Sequence, residues 1–229
     1  MQTPGVAFFD FDGTLIHGDS LPLFIAEVIG RRRTHLAFAD AIRSAGHRHV
    51  RGRGPGADFR GSVKSILLKR TLSGLPLTEA AVAAERLARK LRWYQPTLDA
   101  LHAHRAAGRR VVVATGALDV YMPALLHGLP VDDVLATGME VVDGRLTGRL
   151  ATGNCVRLDK AERVGAWLAQ NGPVGETWGY GNRPSDLPML ALLNQKVVVR
   201  IPSRLHLHRR ADLQTQVVVG AAAVDGDFR

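Results

Sequence analysis

The chain has 229 residues, with 30 Lys or Arg against 21 Asp or Glu and a formal net charge of +9. Its 46% hydrophobic and 22% charged content fits a folded globular protein and excludes global disorder. A single cysteine, Cys155, excludes a disulfide scaffold, no apolar run reaches the roughly 18 residues that span a bilayer, and an acidic residue comes too early for a secretory signal, so a cytoplasmic protein is expected.

Val6–Phe11, between Pro4-Gly5 and Gly13, reads as a buried strand. The block 20–92 then shows helical patches near 21–29, 34–45, 61–72 and 78–92 and no strand, with a turn or loop at Arg51–Gly56. After residue 95 the pattern alternates. A helix near 97–107 ends at Gly108, Arg110–Thr115 is a strand, and Leu118–His127 reads as a helix kinked at Pro123. A strand at Val134–Thr137 precedes a hairpin around Asp143-Gly144. A helix near 159–170 and strands near 176–180 and 196–201 complete the reading. The expected fold class is α/β, a mostly parallel sheet covered on both faces, with a helical block inserted after the first strand.

The charge is not spread evenly. Residues 20–92 hold 15 Lys/Arg and 5 Asp/Glu, a net of +10, and the remainder nets −1. The inserted block is therefore strongly basic, and the body is close to neutral. The histidines show no HxxxH or HExxH spacing, so a zinc site is not expected.

Asp10 and Asp12 close the first strand. At i and i+2 they project to one side, and at the C-terminal end of a parallel strand that side faces the ligand crevice. Such a pair can bind a divalent cation and divide nucleophilic and acid/base work. Asp12-Gly13-Thr14 alone fits a plain polar turn, which leaves Asp10 unexplained.

The run Asp10-Phe-Asp-Gly-Thr-Leu15 resembles motif I of the haloacid-dehalogenase-like phosphatases. Thr115 with Gly116, Lys160, and the segment Tyr180–Leu190 are similar to motifs II, III and IV in the same order. The resemblance covers about residues 5–202 and implies a Rossmann-like core over 1–18 and 93–229, with a helical C1 cap over 19–92 of the phosphoserine-phosphatase-like branch. It implies a phosphatase forming an aspartyl-phosphate on Asp10, with Asp12 as acid and then base. Asp10, Thr115, Gly116 and Lys160 would hold the phosphate, Thr115 at a helix N-terminus. Asp10, Asp12, Asn182 and Asp186 would hold Mg2+. Asn182 stands where the family usually has Asp, so weaker metal binding is expected.

In the cap, Asp19, Ser20 and Lys64 are candidates for substrate specificity. Asp19 and Ser20 serve equally well, on sequence, as caps of the first cap helix. The phosphoserine-specific Arg aligns with Ile66, two residues from Lys64. The expected substrate is a small anionic phosphorylated metabolite. Phosphoserine, a lipid phosphate, phosphotransfer, and anion binding without catalysis stay open. No stable nucleic-acid partner is expected, while peripheral contact with an anionic membrane surface and the oligomeric state are open.

Overall fold

The computed structural model describes residues 3–50, 59–182 and 184–200. The Arg51–Gly56 loop and residues 201–229 lie outside that description. Five parallel strands form the central sheet: β1 (Val6–Phe9), β2 (Arg110–Leu118), β3 (Asp133–Thr137), β6 (Thr177–Gly181) and β7 (Gln195–Val198), in the order β3-β2-β1-β6-β7. β1 lies at the centre, and all four of its residues are buried.

Period-two alternation sends its side chains to two cores. Val6 and Phe8, with Val112 and Ala114 of β2, pack on α7 (Arg157–Gln170) and α8 (Leu187–Ala191). Phe8 meets Trp167 edge-on at 5.3 Å between ring centroids. Ala7 and Phe9, with Val111 and Val113, belong to the larger core, which also holds Leu101 of α5 (Gln95–Ala106). Full burial of each large apolar side chain contributes about 1.5–3 kcal/mol.

Between β1 and α5 stand α1 (Ser20–Ile29), α2 (Arg31–Val50), α3 (Phe59–Leu72) and α4 (Leu77–Ala88). Each expected helical patch is present, with small shifts at the ends. The two connections to the sheet run side by side: the His17 amide donates to Arg92 O at 2.8 Å, and the Tyr94 amide to Leu15 O at 2.8 Å.

The predicted hairpin forms as β4 (Met139–Val142) and β5 (Arg145–Leu150), turning through Asp143 at φ 49° and Gly144 at φ 70°. It stands apart from the main sheet and pairs with the turn between α3 and α4. Gly74 N donates to Leu146 O at 2.7 Å, Leu146 N to Leu75 O at 2.9 Å, and Leu77 N to Gly144 O at 3.0 Å. Gly148, at φ 76°, approaches α3 so closely that a Cβ there would lie 2.7 Å from Lys69 Cα.

Two sequence expectations change. The helix placed at Leu118–His127 is only α6 (Met122–Leu125), because β2 runs on to Leu118 through an irregular register with β3. Pro123 sits in the first turn of α6, where its missing N–H is tolerated, and does not kink a longer helix. The last strand ends at Val198 rather than near 201. Among the described residues no helix is long and apolar enough to cross a membrane.

Candidate active site

The candidate residues gather at the C-terminal ends of β1, β2 and β6, the edge where open α/β sheets bind ligands. β1 ends at Phe9, so strand alternation does not orient Asp10 and Asp12 as expected; the turn after it does. The Asp10 amide stays in sheet register, donating to Tyr180 O at 2.8 Å. Gly13, at φ 73°, then bends the chain past Asn182, whose Nδ2 would lie 2.6 Å from a Cβ at that position.

Asp10 is buried, with both oxygens engaged. Lys160 Nζ donates to Oδ1 at 2.7 Å and Thr14 Oγ1 to Oδ2 at 2.9 Å. Lys160, in the first turn of α7, also donates to Asp186 Oδ1 at 2.5 Å. Asp186 Oδ2 accepts the Asn182 amide at 2.8 Å. One ammonium thus bridges two buried carboxylates. Burial alone would lower the Lys160 pKa, but Asp10 and Asp186 outweigh it and raise it, so the lysine stays protonated. Burial, and then repulsion from Asp10, push Asp186 up to about 6 against the pull of Lys160.

Asp12 is raised to about 7, first by burial and second by Asp10, so it holds a proton through part of the neutral range. Its hydrogen-bond donors come from Ser20: the amide to Oδ1 at 2.8 Å and the hydroxyl to Oδ2 at 3.1 Å. Ser20, read from sequence as either a substrate contact or a helix cap, places both its amide and its hydroxyl on Asp12. Asp19 occupies the N-cap position of α1 but is exposed and makes no side-chain cap bond, so it does not cap the helix as considered.

Thr115 is buried within β2, and its Oγ1 accepts the Ala117 amide at 3.0 Å. No helix starts there, since α6 begins seven residues later at Met122. The helix-terminus rationale for Thr115 therefore does not apply: Thr115 and Gly116 sit in the part of β2 where its register with β3 is irregular. Lys64 of α3 reaches this stretch of β2, donating to Gly116 O at 2.7 Å and to Asn154 Oδ1 at 2.5 Å. Burial lowers its pKa to about 8, with Asp12 pulling the other way. The other cations described in the helical block, Arg31–Arg33, Arg43, Arg60, Lys69, Arg70 and those of 86–92, are exposed.

The donors are hard oxygens of the kind a divalent cation takes, although no group of three or more His, Cys, Asp or Glu among the described residues is arranged to hold a metal ion. Asp10, the Asp12 carbonyl and Asp186 offer oxygen ligands, Asp186 being raised first by burial and then by Asp10. Asn182 points its amide Nδ2 at Asp12 O, 2.9 Å away, and so orders that carbonyl here. Cys155 is buried, its Sγ set against Leu135 O, and takes no part.

Sequence reading missed Asn154, Thr14 and Tyr121. Thr14 was within motif I and its reach to Asp10, four residues back, was the available signal. Tyr121 carried no signal, since its partner Ser20 is 101 residues away.

The model of haloacid dehalogenase-like hydrolases matches residues 7–191. The chain is 28% identical over 225 residues to a probable phosphatase of Mycobacterium tuberculosis, covering 86% of this chain and 72% of that protein. It is 30% identical over 190 residues to the phosphoserine phosphatase SerB2 of the same organism, covering 82% of this chain but only 42% of SerB2. Among solved structures, a Bordetella pertussis protein of unknown function superposes with a TM-score of 0.68 at 24% identity, covering 86% and 90% of the two chains. A phospho-aspartyl intermediate analogue of phosphoserine phosphatase superposes with a TM-score of 0.58 at 17% identity, covering 86% and 87%.

Proposed function

Because the chain belongs to the haloacid dehalogenase-like hydrolases and is a phosphoric monoester hydrolase, we propose that it dephosphorylates small phosphorylated metabolites through an aspartyl-phosphate on Asp10. The observation that carries this reading is Lys160 bridging Asp10 and Asp186 with Asp12 beside them. Asp10 is fixed by Lys160 and Thr14 for attack on phosphorus. Asp12 gives its proton to the departing alkoxide, and then takes one from the water that cleaves the aspartyl-phosphate. Thr115, Gly116 and Lys160 receive the phosphate oxygens.

Phosphatases of this family generally use Mg2+. Asp10, the Asp12 carbonyl, Asp186 and Asn182 are the residues to hold it, and when bound it offsets negative charge on the phosphate. Residues 1–18 and 93–229 are the catalytic body and 19–92 the cap.

Within the cap, Lys64 carries the substrate preference. Its ammonium is half-buried against two neutral oxygens, and Ile66, aligned with the phosphoserine-specific Arg, is buried in the core. A cation so placed favours a substrate with a second anionic group near the ester. The test is hydrolysis of p-nitrophenyl phosphate with and without Mg2+, against Asp10→Asn. Wild-type turnover in that variant would overturn the mechanism.

A second role is favoured by the exposed arginines of α2 and α3 and by Leu36 of α2, itself 71% exposed: peripheral contact of the cap with an anionic membrane surface. Cosedimentation with phosphatidylglycerol vesicles at low salt tests it, and no binding there removes it.

A further inference from the structure

We propose that Ser20 and Tyr121 form a clamp that aims the Asp12 carboxyl at the leaving group, an inference that rests on the phosphatase reading above. Ser20 is the first residue of α1, just past the paired connections at His17–Arg92 and Leu15–Tyr94. It is fully buried, and it engages both oxygens of Asp12. Behind it, the Tyr121 hydroxyl lies 3.1 Å from Ser20 Oγ. Tyr121 is also fully buried, with its ring 4.7 Å from that of Phe24 on α1.

Counting protons sets the direction of this chain. Ser20 Oγ is the side-chain partner of the Tyr121 hydroxyl, whose oxygen also accepts from the Leu118 backbone N–H, and the buried phenol proton needs an acceptor, which Ser20 Oγ provides. When Tyr121 donates to Ser20, the single hydroxyl proton of Ser20 is directed to Asp12. The Ser20 amide covers the other oxygen. Asp12 is therefore held from one side through both oxygens, and the lone pairs left for its acid proton face away from Ser20.

The step served is the first half-reaction. A bond forms between an Asp10 oxygen and phosphorus, the ester P–O bond breaks, and the Asp12 proton passes to the departing alkoxide. A carboxyl free to rotate would meet that alkoxide in few of its orientations. Ser20 and Tyr121 touch neither substrate nor phosphate in this scheme. They are positioning residues, and because Ser20 begins the first cap helix while Tyr121 belongs to the body, the acid is aimed only when the cap stands in this pose.

The experiment compares kcat/KM on two leaving groups, which separates acid catalysis from general damage. A nitrophenolate leaves with little protonation; an alkoxide does not. Ser20→Ala is expected to lose about tenfold or more on glycerol 2-phosphate and about threefold or less on p-nitrophenyl phosphate. Tyr121→Phe should show the same bias to a smaller degree, and the double variant should match Ser20→Ala because the residues act in series. Ser20→Thr, which keeps a hydroxyl, should recover most of the loss on glycerol 2-phosphate.

Equal losses on both substrates would overturn the clamp and leave two residues that only support the fold. A Tyr121→Phe enzyme identical to wild type on glycerol 2-phosphate would overturn the serial chain. Failure of the wild-type enzyme with Mg2+ on every phosphomonoester is a different result: it defeats the phosphatase reading, and the clamp falls with it.

Discussion

Replacing Lys160 with Met leaves an unbranched side chain one atom shorter at a position 2% exposed and removes the ammonium with its donors. Two ion pairs vanish, at 2.7 Å to Asp10 and 2.5 Å to Asp186, leaving two buried carboxylates without their cation. Breaking a buried pair from one side costs about 3–5 kcal/mol. For a chain of this size about 2–4 °C of melting temperature goes with each kcal/mol, so the metal-free variant should melt about 6–20 °C lower at pH 7.5.

The same charge argument fixes the pH dependence. Asp186 already titrates in the folded protein at about 6, above its ordinary 3.8. A raised carboxyl pKa means that the folded state binds the proton more tightly. The associated stability is fully present below the ordinary value and is lost as pH rises through the folded one. Loss of Lys160 raises that folded value further, so acidification from pH 7.5 to 5 should close much of the gap to wild type. Differential scanning calorimetry in EDTA at both pH values is the assay. A gap that stays constant with pH would refute the electrostatic reasoning and mark the loss as one of packing. Turnover should fall about a hundredfold or more in either case.

Three further outcomes follow from other parts of the molecule. Asn182→Asp exchanges a 2.9 Å hydrogen bond to Asp12 O for carboxylate–carbonyl repulsion. The metal-free protein should melt lower, with half-saturating Mg2+ falling about tenfold in activity titrations. His104, buried against Tyr180 and Arg109, has its pKa lowered to about 4 by burial and then by Arg109. The neutral ring is thus favoured in the folded state, and its contribution, present above about 6.5, is lost as pH falls towards 4. Urea titrations should show a smaller stability loss between pH 7 and 4.5 for His104→Gln than for wild type. Gly148→Ala should destabilise the protein by about 1–3 kcal/mol, since its Cβ would press on the Lys69 backbone at a strained φ of 76°; an unchanged melting temperature would contradict this.

The groups of the site that the sequence made legible are those at strand ends. Asp10 stood out as a charge within an apolar run, and Lys160 and Asp186 fell at element starts where the topology brings them together. The hairpin was readable from Asp143-Gly144, because few residue pairs accept two positive φ angles. What stayed hidden depended on partners distant in the chain. Ser20 reads equally as a helix cap or a substrate contact until its hydroxyl is seen on Asp12. Lys64 is one of many cations in a basic block, and only the packing of α3 turns it, alone among those described, to the core. The helix expected over Leu118–His127 failed because β2 gains pairing with β3 as far as Leu118–Thr137, a tertiary term that local propensity does not contain.

The hairpin at Met139–Leu150 bears on how such an enzyme can be re-engineered. Its backbone bonds to the α3–α4 turn, joining Gly74 and Leu75 to Leu146 and Leu77 to Gly144, make it a strand partner for a segment far earlier in the chain. A graft of residues 19–92 onto a related sheet would therefore arrive with Gly74, Leu75 and Leu77 stripped of their partners. The transferable module is discontinuous: residues 19–92 together with 139–150, moved as one piece.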